Sequence, residues 1–532
     1  MKNWIFPSLA GLAGFSIFLA FGGLHTLNVN NISYLLFDDP AQHWIGWEFF
    51  RHTPWLQWPI GNNNAYGTHL NNSIVYTDSI PIFALFFKVF SPLLPVKFQY
   101  TGIWMAICCV MQGVMGFLLI RKFTRNDIYS LIGSLFFILS SPLIFRLTGH
   151  FALSAHWLIL AGIILYFDSK AKGKYWALIL IFSSLVHAYI LAMLLAIWIA
   201  NLLNRYVKKQ ITLKYIIITM LTTCLCLFMV MYSIGYFNVS DGLKMYGFGF
   251  YKLNLNAPIN PLLDSYSSII KPLPVEGGDY EGINYFGFGI ISLMLISFIF
   301  APLSKYKIKN CYKNNIIFII LCISLYIYAL SSNITIGSIQ LLQLNYPHQL
   351  EGLTSTFRAS GRFFWTIFYA SIAFGIIFAY RIFEKKKATA ILIVCALIQI
   401  HDSKNIFPYM KNKFQAEITI DTPKDDRWIE LSKSKKNLVG IPAQEFNPDW
   451  KKWAYFASIN DMNINFGYFA RYNKESWEKQ SKEELDSAKK GELNTNSIYI
   501  FKNKELFEEV LSKYNGESVN FHENNIYIIA PK

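Results

Sequence analysis

Long runs of apolar residues constrain this chain more than any other feature of its sequence. Several runs reach about 18 residues, the length that an α-helix needs to cross a hydrocarbon core about 30 Å thick. Hydrophobic residues make up 53% of the 532 residues, and charged residues make up only 15%. The sequence therefore predicts a polytopic α-helical membrane protein.

Eleven segments have the composition of membrane spans. They are residues 4–25, 99–120, 127–146, 151–168, 175–187, 189–204, 214–236, 285–302, 315–335, 363–383 and 388–402. The apolar stretch 175–204 has basic clusters at both ends, and as one helix it would be about 45 Å long. We therefore predict two short helices that turn near His187, either crossing the bilayer twice or forming a partly re-entrant pair.

The positions of the basic residues explain the formal net charge of +15. Lysines and arginines cluster in five short loops, which the positive-inside rule places on the cytoplasmic side together with the N-terminus. These clusters fall within residues 121–125, 170–174, 205–214, 305–313 and 381–387. The charge is thus a topological signal, and no nucleic-acid partner is predicted. The seven cysteines lie in spans or in a cytoplasmic loop, so we predict no disulfide framework.

Three long segments and the C-terminus are expected on the outer side of the membrane. The segments cover residues 26–98, 237–284 and 336–362 of a transmembrane module, 1–402. Residues 403–532 contain no apolar span and are expected to form a small α/β domain. Its predicted strands are residues 437–443, 497–501 and 525–530, and its predicted helices are residues 449–459, 474–490 and 504–513.

The first outer segment contains the motif FDDPAQHWIGWEFFR, residues 37–51. Asp38 and Asp39 are candidate catalytic carboxylates, because a histidine, a glutamate, an arginine and several aromatic residues follow within a short distance. If Pro40 occupies the first helical position, Asp39 is the N-cap, a role that is compatible with catalysis. The candidates for sugar or acceptor binding on the same helix are His43, Trp44 and Trp47.

Later in the same segment, polar and aromatic residues are mixed in a composition suited to sugar hydroxyls. Tyr66 and His69 are candidate sugar- or acceptor-binding residues there. Asp78 precedes an apolar stretch, residues 80–90, that is too short to span and predicts an amphipathic helix along the outer interface. Asp78 is either the N-cap of this helix or a further catalytic carboxylate.

Two outer turns add polar candidates. GHFALSAHW, residues 149–157, places His150 and His156 at or just below the outer surface, where a histidine is costly unless it faces a polar cavity. Their spacing of six does not put them on one helical face, so the pair does not predict a metal site. In GGDYEGINYFGFG, residues 277–289, Glu281 is a candidate substrate contact in a glycine-rich acidic loop.

The motif FRASGRFFW, residues 357–365, carries two arginines where the positive-inside rule disfavours them. Arg358 and Arg362 are four residues apart and are expected to share one helix face, with Ser355 or Thr356 as the cap. Two guanidinium groups at a helix N-terminus form a phosphate site. The alternative is that both arginines only snorkel towards the interface.

These motifs resemble the C-type superfamily of integral-membrane glycosyltransferases (GT-C), and more closely a large bacterial group of unknown function within it. The likeness rests on FDDPAQHWIGWEFFR, YGTHLNNSIVYTDSIP, GHFALSAHW, EGINYFGFG and FRASGRFFW, over most of the first 400 residues. It implies a bacterial inner (plasma) membrane location and a polyprenyl-phosphate sugar donor that is used at the outer face with inversion. The acceptor would be a glycan, a lipid or a protein.

The resemblance also implies residue roles. The first-loop carboxylate of the superfamily corresponds to Asp39, with Asp38 as the alternative, and this base would accept the proton of the acceptor hydroxyl. The arginine that holds the lipid phosphate corresponds to Arg358 or Arg362, aided by His150 or a bound cation. Some members use a divalent cation such as Mg²⁺ or Mn²⁺ and others do not, so the sequence leaves the metal open. The competing hypotheses are a transporter or flippase of lipid-linked saccharides and a non-catalytic membrane scaffold.

Overall fold

The structure is a computed structural model that describes residues 4–168, 172–239, 246–304 and 315–532. These residues are mostly helical and form two compact units, each built from separate stretches of the chain. Unit 1 takes its described residues from 1–28, 100–228 and 244–416. Unit 2 takes its described residues from 29–99, 229–243 and 417–532, so it combines most of the first predicted outer segment with the C-terminal tail.

Most of the described helices are apolar. Five of them are long and apolar enough to cross a bilayer: Thr101–Thr124, Ala188–Val207, Leu213–Ser233, Ser360–Ile382 and Lys385–Phe414. Shorter apolar helices are Ile5–Ala20, Asp127–Ile138, Phe151–Tyr166, Phe288–Leu303 and Ile316–Leu330, and Gly173–Ser184 is a further short one. These helices are compatible with a membrane protein, and the number of eleven crossings stays a prediction.

Two helix ends have a clear local cause. The segment predicted as one span over 127–146 is divided into Asp127–Ile138 and Ser141–Arg146, and Pro142 stands in the first turn of the second helix, where its missing N–H costs nothing. The break predicted near His187 is confirmed, because the helix Ala188–Val207 begins directly after it. The ring Nδ1 of His187 caps that helix by accepting from the Tyr189 amide at 3.1 Å.

A hairpin that the sequence did not predict follows the helix Ile316–Leu330. Strand β1, Asn333–Ile336, pairs antiparallel with β2, Ile339–Gln343, at the start of the third predicted outer segment. The short helix Glu351–Thr356 and the 3₁₀ helix Ser360–Phe364 come next. The hairpin was missed because the predicted span was extended to residue 335, over the first strand.

The tail contributes a five-stranded sheet to unit 2. Its spatial order is β4-β3-β5-β7-β6, with β3 parallel to β4 and β5, and β7 antiparallel to β5 and β6. The strands are β3 Asn437–Ile441, β4 Asn463–Ile464, β5 Ser497–Phe501, β6 Ser518–Glu523 and β7 Ile526–Pro531. The tail helices are Asp426–Ser434, Trp450–Ile459, Lys474–Lys489 and Lys504–Lys513. The three predicted strands and the three predicted helices are confirmed, and the central strand β5 is buried throughout, as its unbroken apolar composition requires.

The first outer segment completes the edge of this sheet. Tyr66 forms a parallel bridge with Ile464 of β4, and the amides of Gly67 and Thr68 both donate to the Ile464 carbonyl at 2.9 Å. The Tyr66 hydroxyl donates to the Tyr468 carbonyl at 3.0 Å. Main-chain pairing therefore fixes the segment that contains the candidate residues to the tail within one unit.

Some of the sequence predictions lie outside the described residues. These are the basic cluster at 305–313, Lys170, Cys311, and residues 240–245 of the second predicted outer segment. The other six cysteines are described, and all of them are free thiols.

Candidate functional site

The motif with the two aspartates forms the helix Asp38–His52 of unit 2. The N-cap is Phe37, so the prediction that Asp39 caps this helix is wrong, because the helix begins one residue before it. Both carboxylates lie in the first turn, where the helix dipole favours negative charge. The Asp38 side chain is 84% exposed and lies 3.8 Å from Lys451 Nζ, whereas Asp39 is half-buried. Asp39 is thus the more enclosed of the two candidate bases.

Asp78 lies beside His43 in unit 2. Its Oδ2 is 3.6 Å from the His43 Nε2, and the His43 ring is buried. The predicted interfacial helix spans Pro81–Lys88 and has Ile80 as its N-cap, so Asp78 is not the cap. The Ser79 hydroxyl donates to the His43 carbonyl at 2.7 Å and fixes this segment against the helix that carries His43. A buried imidazole next to a carboxylate is a candidate acid–base pair.

Three of the aromatic candidates are buried in unit 2. Trp44 and Trp47 are 2% and 1% exposed, and both indoles donate to the Phe98 carbonyl, at 3.0 Å and 3.2 Å. Tyr66 is also buried and stacks on Phe49 with ring centroids 5.0 Å apart. Their ring faces are covered by protein, which favours a packing role over sugar stacking. His69, in contrast, is exposed.

Glu48 and Arg51 form a buried pair that the sequence analysis did not assign. Arg51 Nη1 lies 3.4 Å from Glu48 Oε2 and donates to the Pro95 carbonyl at 2.9 Å. Burial raises the pKa of Glu48 from 4.5 to about 8, although the nearby guanidinium lowers it. Glu48 is therefore mostly protonated at neutral pH. The i, i+3 spacing of an acid and a base on a helix was the available signal.

In unit 1, two arginines that are distant in sequence bond to one buried carboxylate. Glu281 Oε2 accepts from Arg146 Nη2 at 2.6 Å and from Arg362 Nε at 2.7 Å. Burial alone would raise the pKa of Glu281, but the two guanidinium groups outweigh burial and hold that pKa well below its ordinary value. This cluster, Arg146–Glu281–Arg362, thus places two guanidinium groups on one carboxylate.

Aromatic rings enclose the guanidinium groups of the cluster. Arg146 lies over the Trp365 ring at 5.4 Å, and Arg362 lies over the Tyr189 ring at 4.6 Å. The side chains of Arg146 and Arg362 are 1% and 9% exposed. Among the described residues, the Arg146 Nε has no hydrogen-bond partner. The cluster therefore combines two guanidinium groups with a free donor on Arg146, a combination that suits an anion.

Arg358 and Arg362 do not share a helix face, contrary to the prediction. The helix Glu351–Thr356 ends before Arg358, which lies in an irregular turn, and Arg362 lies within the 3₁₀ helix Ser360–Phe364. Arg358 Nη1 donates to the Tyr246 carbonyl at 3.2 Å. Only Arg362 belongs to the buried cluster, because the chain turns between the two arginines.

The predicted cap of this segment is also wrong. The residue before the 3₁₀ helix is Ala359, which makes no side-chain cap. Thr356 belongs to the preceding helix, where its hydroxyl donates to the Gly352 carbonyl at 2.7 Å. Neither Ser355 nor Thr356 therefore caps the helix that contains Arg362, and the phosphate-binding argument depends on the guanidinium groups alone.

The two histidines of the outer turn have different surroundings in unit 1. The His156 Nδ1 lies 2.6 Å from the Tyr369 hydroxyl, and its buried ring packs 4.2 Å from the Trp365 ring. His150 is partly exposed and has a left-handed backbone with φ of +55°. Its electrostatic interaction also lowers the pKa of Glu281. His150 is therefore near the cluster, and His156 packs behind it.

The glycine-rich loop also binds a buried lysine that the sequence analysis missed. Lys252 Nζ lies 2.6 Å from Glu276 Oε2 and 2.9 Å from Asp279 Oδ1. Asp279 stands two residues before Glu281 in one 3₁₀ turn. The first carboxylate pairs with Lys252, and the second pairs with the two arginines of the cluster. A Cβ on Gly282 would lie 2.3 Å from the Lys252 carbonyl oxygen, so glycine is required for this close approach.

Within unit 2, His43 and Asp78 offer a nitrogen and an oxygen ligand 3.6 Å apart, which are ligand types that Mn²⁺ accepts.

Two family models match the chain. The one described as Domain of unknown function (DUF6311) matches residues 11–404, and the one described as DUF6311 C-terminal domain matches residues 427–531. No curated protein matches the sequence. The first model alone covers well over half of the chain. The protein therefore belongs to the uncharacterised family described as Domain of unknown function (DUF6311).

Proposed function

We propose that this protein is a membrane glycosyltransferase of the C type, which moves a sugar from a polyprenyl-phosphate donor to an acceptor with inversion. The acceptor is a glycan, a lipid or a protein on the outer face. In this proposal the chain crosses the bilayer eleven times from a cytoplasmic N-terminus, and the tail lies on the periplasmic or extracellular side. The observation that carries the proposal is the Arg146–Glu281–Arg362 cluster, in which two buried guanidinium groups share one carboxylate.

The cluster suits a lipid-linked phosphate for electrostatic reasons. When the bond between the anomeric carbon and the phosphate oxygen breaks, the electron pair leaves with the phosphate, which gains negative charge. A preorganised cation at that point stabilises the transition state more than the ground state. Arginine is the cation that matches the geometry of phosphate oxygens best, and the buried guanidinium groups are already desolvated.

Asp39 is proposed as the general base, with Asp38 as the alternative. The acceptor oxygen attacks the anomeric carbon, and its proton passes to the carboxylate. General-base help of this kind contributes about 10²–10⁴ to the rate. The lower exposure of Asp39 favours it, because bulk water competes less with the acceptor hydroxyl for a half-buried carboxylate.

The experiment is a transfer assay in proteoliposomes with a panel of polyprenyl-phosphate sugars. We expect Asp39→Asn to lower the rate by about 10²–10⁴ and the neighbouring control Asp38→Asn to lower it less than tenfold, with equal amounts of folded protein. The reverse order would reassign the base to Asp38. Full transfer by both variants would refute the base assignment. Movement of donor across the vesicle without transfer would favour a flippase instead.

A further inference from the structure

A polar groove lies within unit 2 and consists of two neighbouring pockets. Their volumes are about 710 Å³ and about 560 Å³, and Thr68, His69 and Asn463 line both of them. Pockets that enclose small ligands have volumes of about 300–1,000 Å³. The groove is therefore large enough for an oligosaccharide with a ring or more in each pocket.

The walls of the first pocket come from two distant parts of the chain. One wall is the first outer segment, from Phe49 to Asn71, and the other is the tail segment from Ser458 to Asn463. The main-chain bonds of Gly67 and Thr68 to Ile464 hold the two walls together. The groove is thus formed before a ligand arrives, which lowers the entropic cost of binding.

Side-chain amides dominate the lining. Nine of the lining residues are asparagine or glutamine. An amide offers a donor and an acceptor together, as a sugar hydroxyl does, so the two groups can pair in both directions. Asn64 and Asn71 are exposed in the first pocket, and their side chains make no hydrogen bond within the described parts of the chain. Their amides are therefore available to a ligand.

An exposed indole stands at the same pocket. Trp58 is 61% exposed, although a tryptophan normally buries most of its surface. Two hydrogen bonds from side-chain amides hold the turn that carries it. Gln57 Nε2 donates to the Asn62 carbonyl at 2.8 Å, and Asn62 Nδ2 donates to the Trp58 carbonyl at 3.1 Å. An exposed indole on an ordered turn offers a flat apolar surface to the C–H face of a sugar ring.

The charge of the groove excludes anionic ligands. None of the described residues that line either pocket is a lysine or an arginine. The lining carboxylates are Asp461, Glu483, Glu484 and Glu492. The first two face Lys436 and Lys479 at 3.5 Å and 3.9 Å, whereas the other two have no such partner in the described part of the chain. Like-charge repulsion therefore acts against a uronate, sulfate or phosphate group.

We propose that this groove binds an uncharged oligosaccharide, with Trp58 stacked on one ring and the amides of Asn64 and Asn71 bonded to its hydroxyls. As an assignment of the acceptor class, the inference rests on the glycosyltransferase proposed above. The binding event itself needs neither the donor nor Asp39. The two ideas can therefore fail separately.

The experiment measures trisaccharide binding to the full chain in lipid nanodiscs, because maltoside detergents are themselves neutral disaccharide glycosides. Saturation-transfer NMR and calorimetry would use a panel of neutral trisaccharides with different linkages, with trigalacturonic acid as the anionic comparison. We expect at least one neutral trisaccharide to bind at least tenfold more tightly than the anionic one. Trp58→Ala should weaken binding about tenfold, and Asn64→Ala should weaken it several-fold.

Trp55→Ala is the matched control, because Trp55 is 53% exposed, three residues from Trp58, and lines neither pocket. We expect it to bind as the wild type does. The inference is overturned if no neutral trisaccharide binds at millimolar concentration, if the anionic one binds equally well, or if both tryptophan variants lose affinity equally. Trisaccharide binding without any transfer activity would refute the glycosyltransferase proposal and support the oligosaccharide groove. Transfer without trisaccharide binding would support the glycosyltransferase and refute the groove.

Discussion

Glu281→Gln tests the charge balance of the Arg146–Glu281–Arg362 cluster. The substitution keeps the shape of the side chain and removes the carboxylate that accepts from both guanidinium groups, at 2.6 Å and 2.7 Å. The two buried cations then lose the anion that they share. Breaking a buried ion pair by removing one partner costs about 3–5 kcal/mol, because the remaining charge stays desolvated. An unfolding entropy of about 2.1 cal/mol/K per residue gives about 1.1 kcal/mol/K for 532 residues, so that loss corresponds to a fall in Tm of roughly 3–4 °C.

The assay is thermal unfolding followed by intrinsic tryptophan fluorescence in nanodiscs. Glu276→Gln is the matched control in the same loop, because Lys252 keeps its bond to Asp279 when Glu276 is replaced. We expect the control to lose no more than about 1 kcal/mol, since Glu276 is 36% exposed. A Tm of Glu281→Gln within 1 °C of the wild type would refute the argument.

The same variant also tests whether the cluster accepts a phosphate. In this variant both arginines lose the carboxylate that they share, and inorganic phosphate can take its position by charge-assisted hydrogen bonds. We expect added phosphate to raise the Tm of Glu281→Gln more than an equal ionic strength of sodium chloride does. The wild type should respond less, because its carboxylate already occupies the position. Equal responses to both salts would argue against a phosphate site.

Two further substitutions test packing and titration. Glu48→Gln should stabilise the protein by up to about 3 kcal/mol at pH 7. Because folding raises the pKa of Glu48, its contribution to the stability of the wild type is complete below pH 4.5 and is progressively lost up to about pH 8. The free energy of unfolding measured across that range should therefore change less with pH in the variant. Gly282→Ala should destabilise by about 1–3 kcal/mol, since its Cβ meets the Lys252 carbonyl, whereas Gly352→Ala, with no atom within 4 Å, should not. Equal Tm values for the two alanine variants would contradict the second prediction.

Helices and strands were predicted well where an apolar sequence pattern is itself the reason that the element forms. The apolar composition predicted the helices, and strands β3, β5 and β7 were found because each is a short apolar run bounded by polar residues. Strand β6 was missed, because Ser518–Glu523 is mostly polar and lies at the sheet edge. The helix starts at Asp38 and Ser360 were missed by one or more residues, since helix ends depend on tertiary contacts.

The candidate site was predictable only in its ingredients. Glu281 and Arg362 were named from the sequence, but their pairing joins positions 81 residues apart, and Arg146 is 135 residues from Glu281. No local periodicity encodes such contacts. For the aromatic residues of the first outer segment, the sequence pointed to the wrong side chains. Trp44 and Trp47 were predicted to bind sugar, but they are buried in the core, and Trp58 is the exposed one.

The bridge between Tyr66 and Ile464 has a consequence for biosynthesis. Tyr66 and its hydroxyl acceptor, Tyr468, are 402 residues apart, so the ribosome must add all the intervening residues before they can meet. At about 5–20 residues per second, the early segment waits roughly 20–80 s before its main-chain groups can pair with the tail. Translation speed and chaperone protection during that interval therefore determine how much of the newly made protein avoids aggregation.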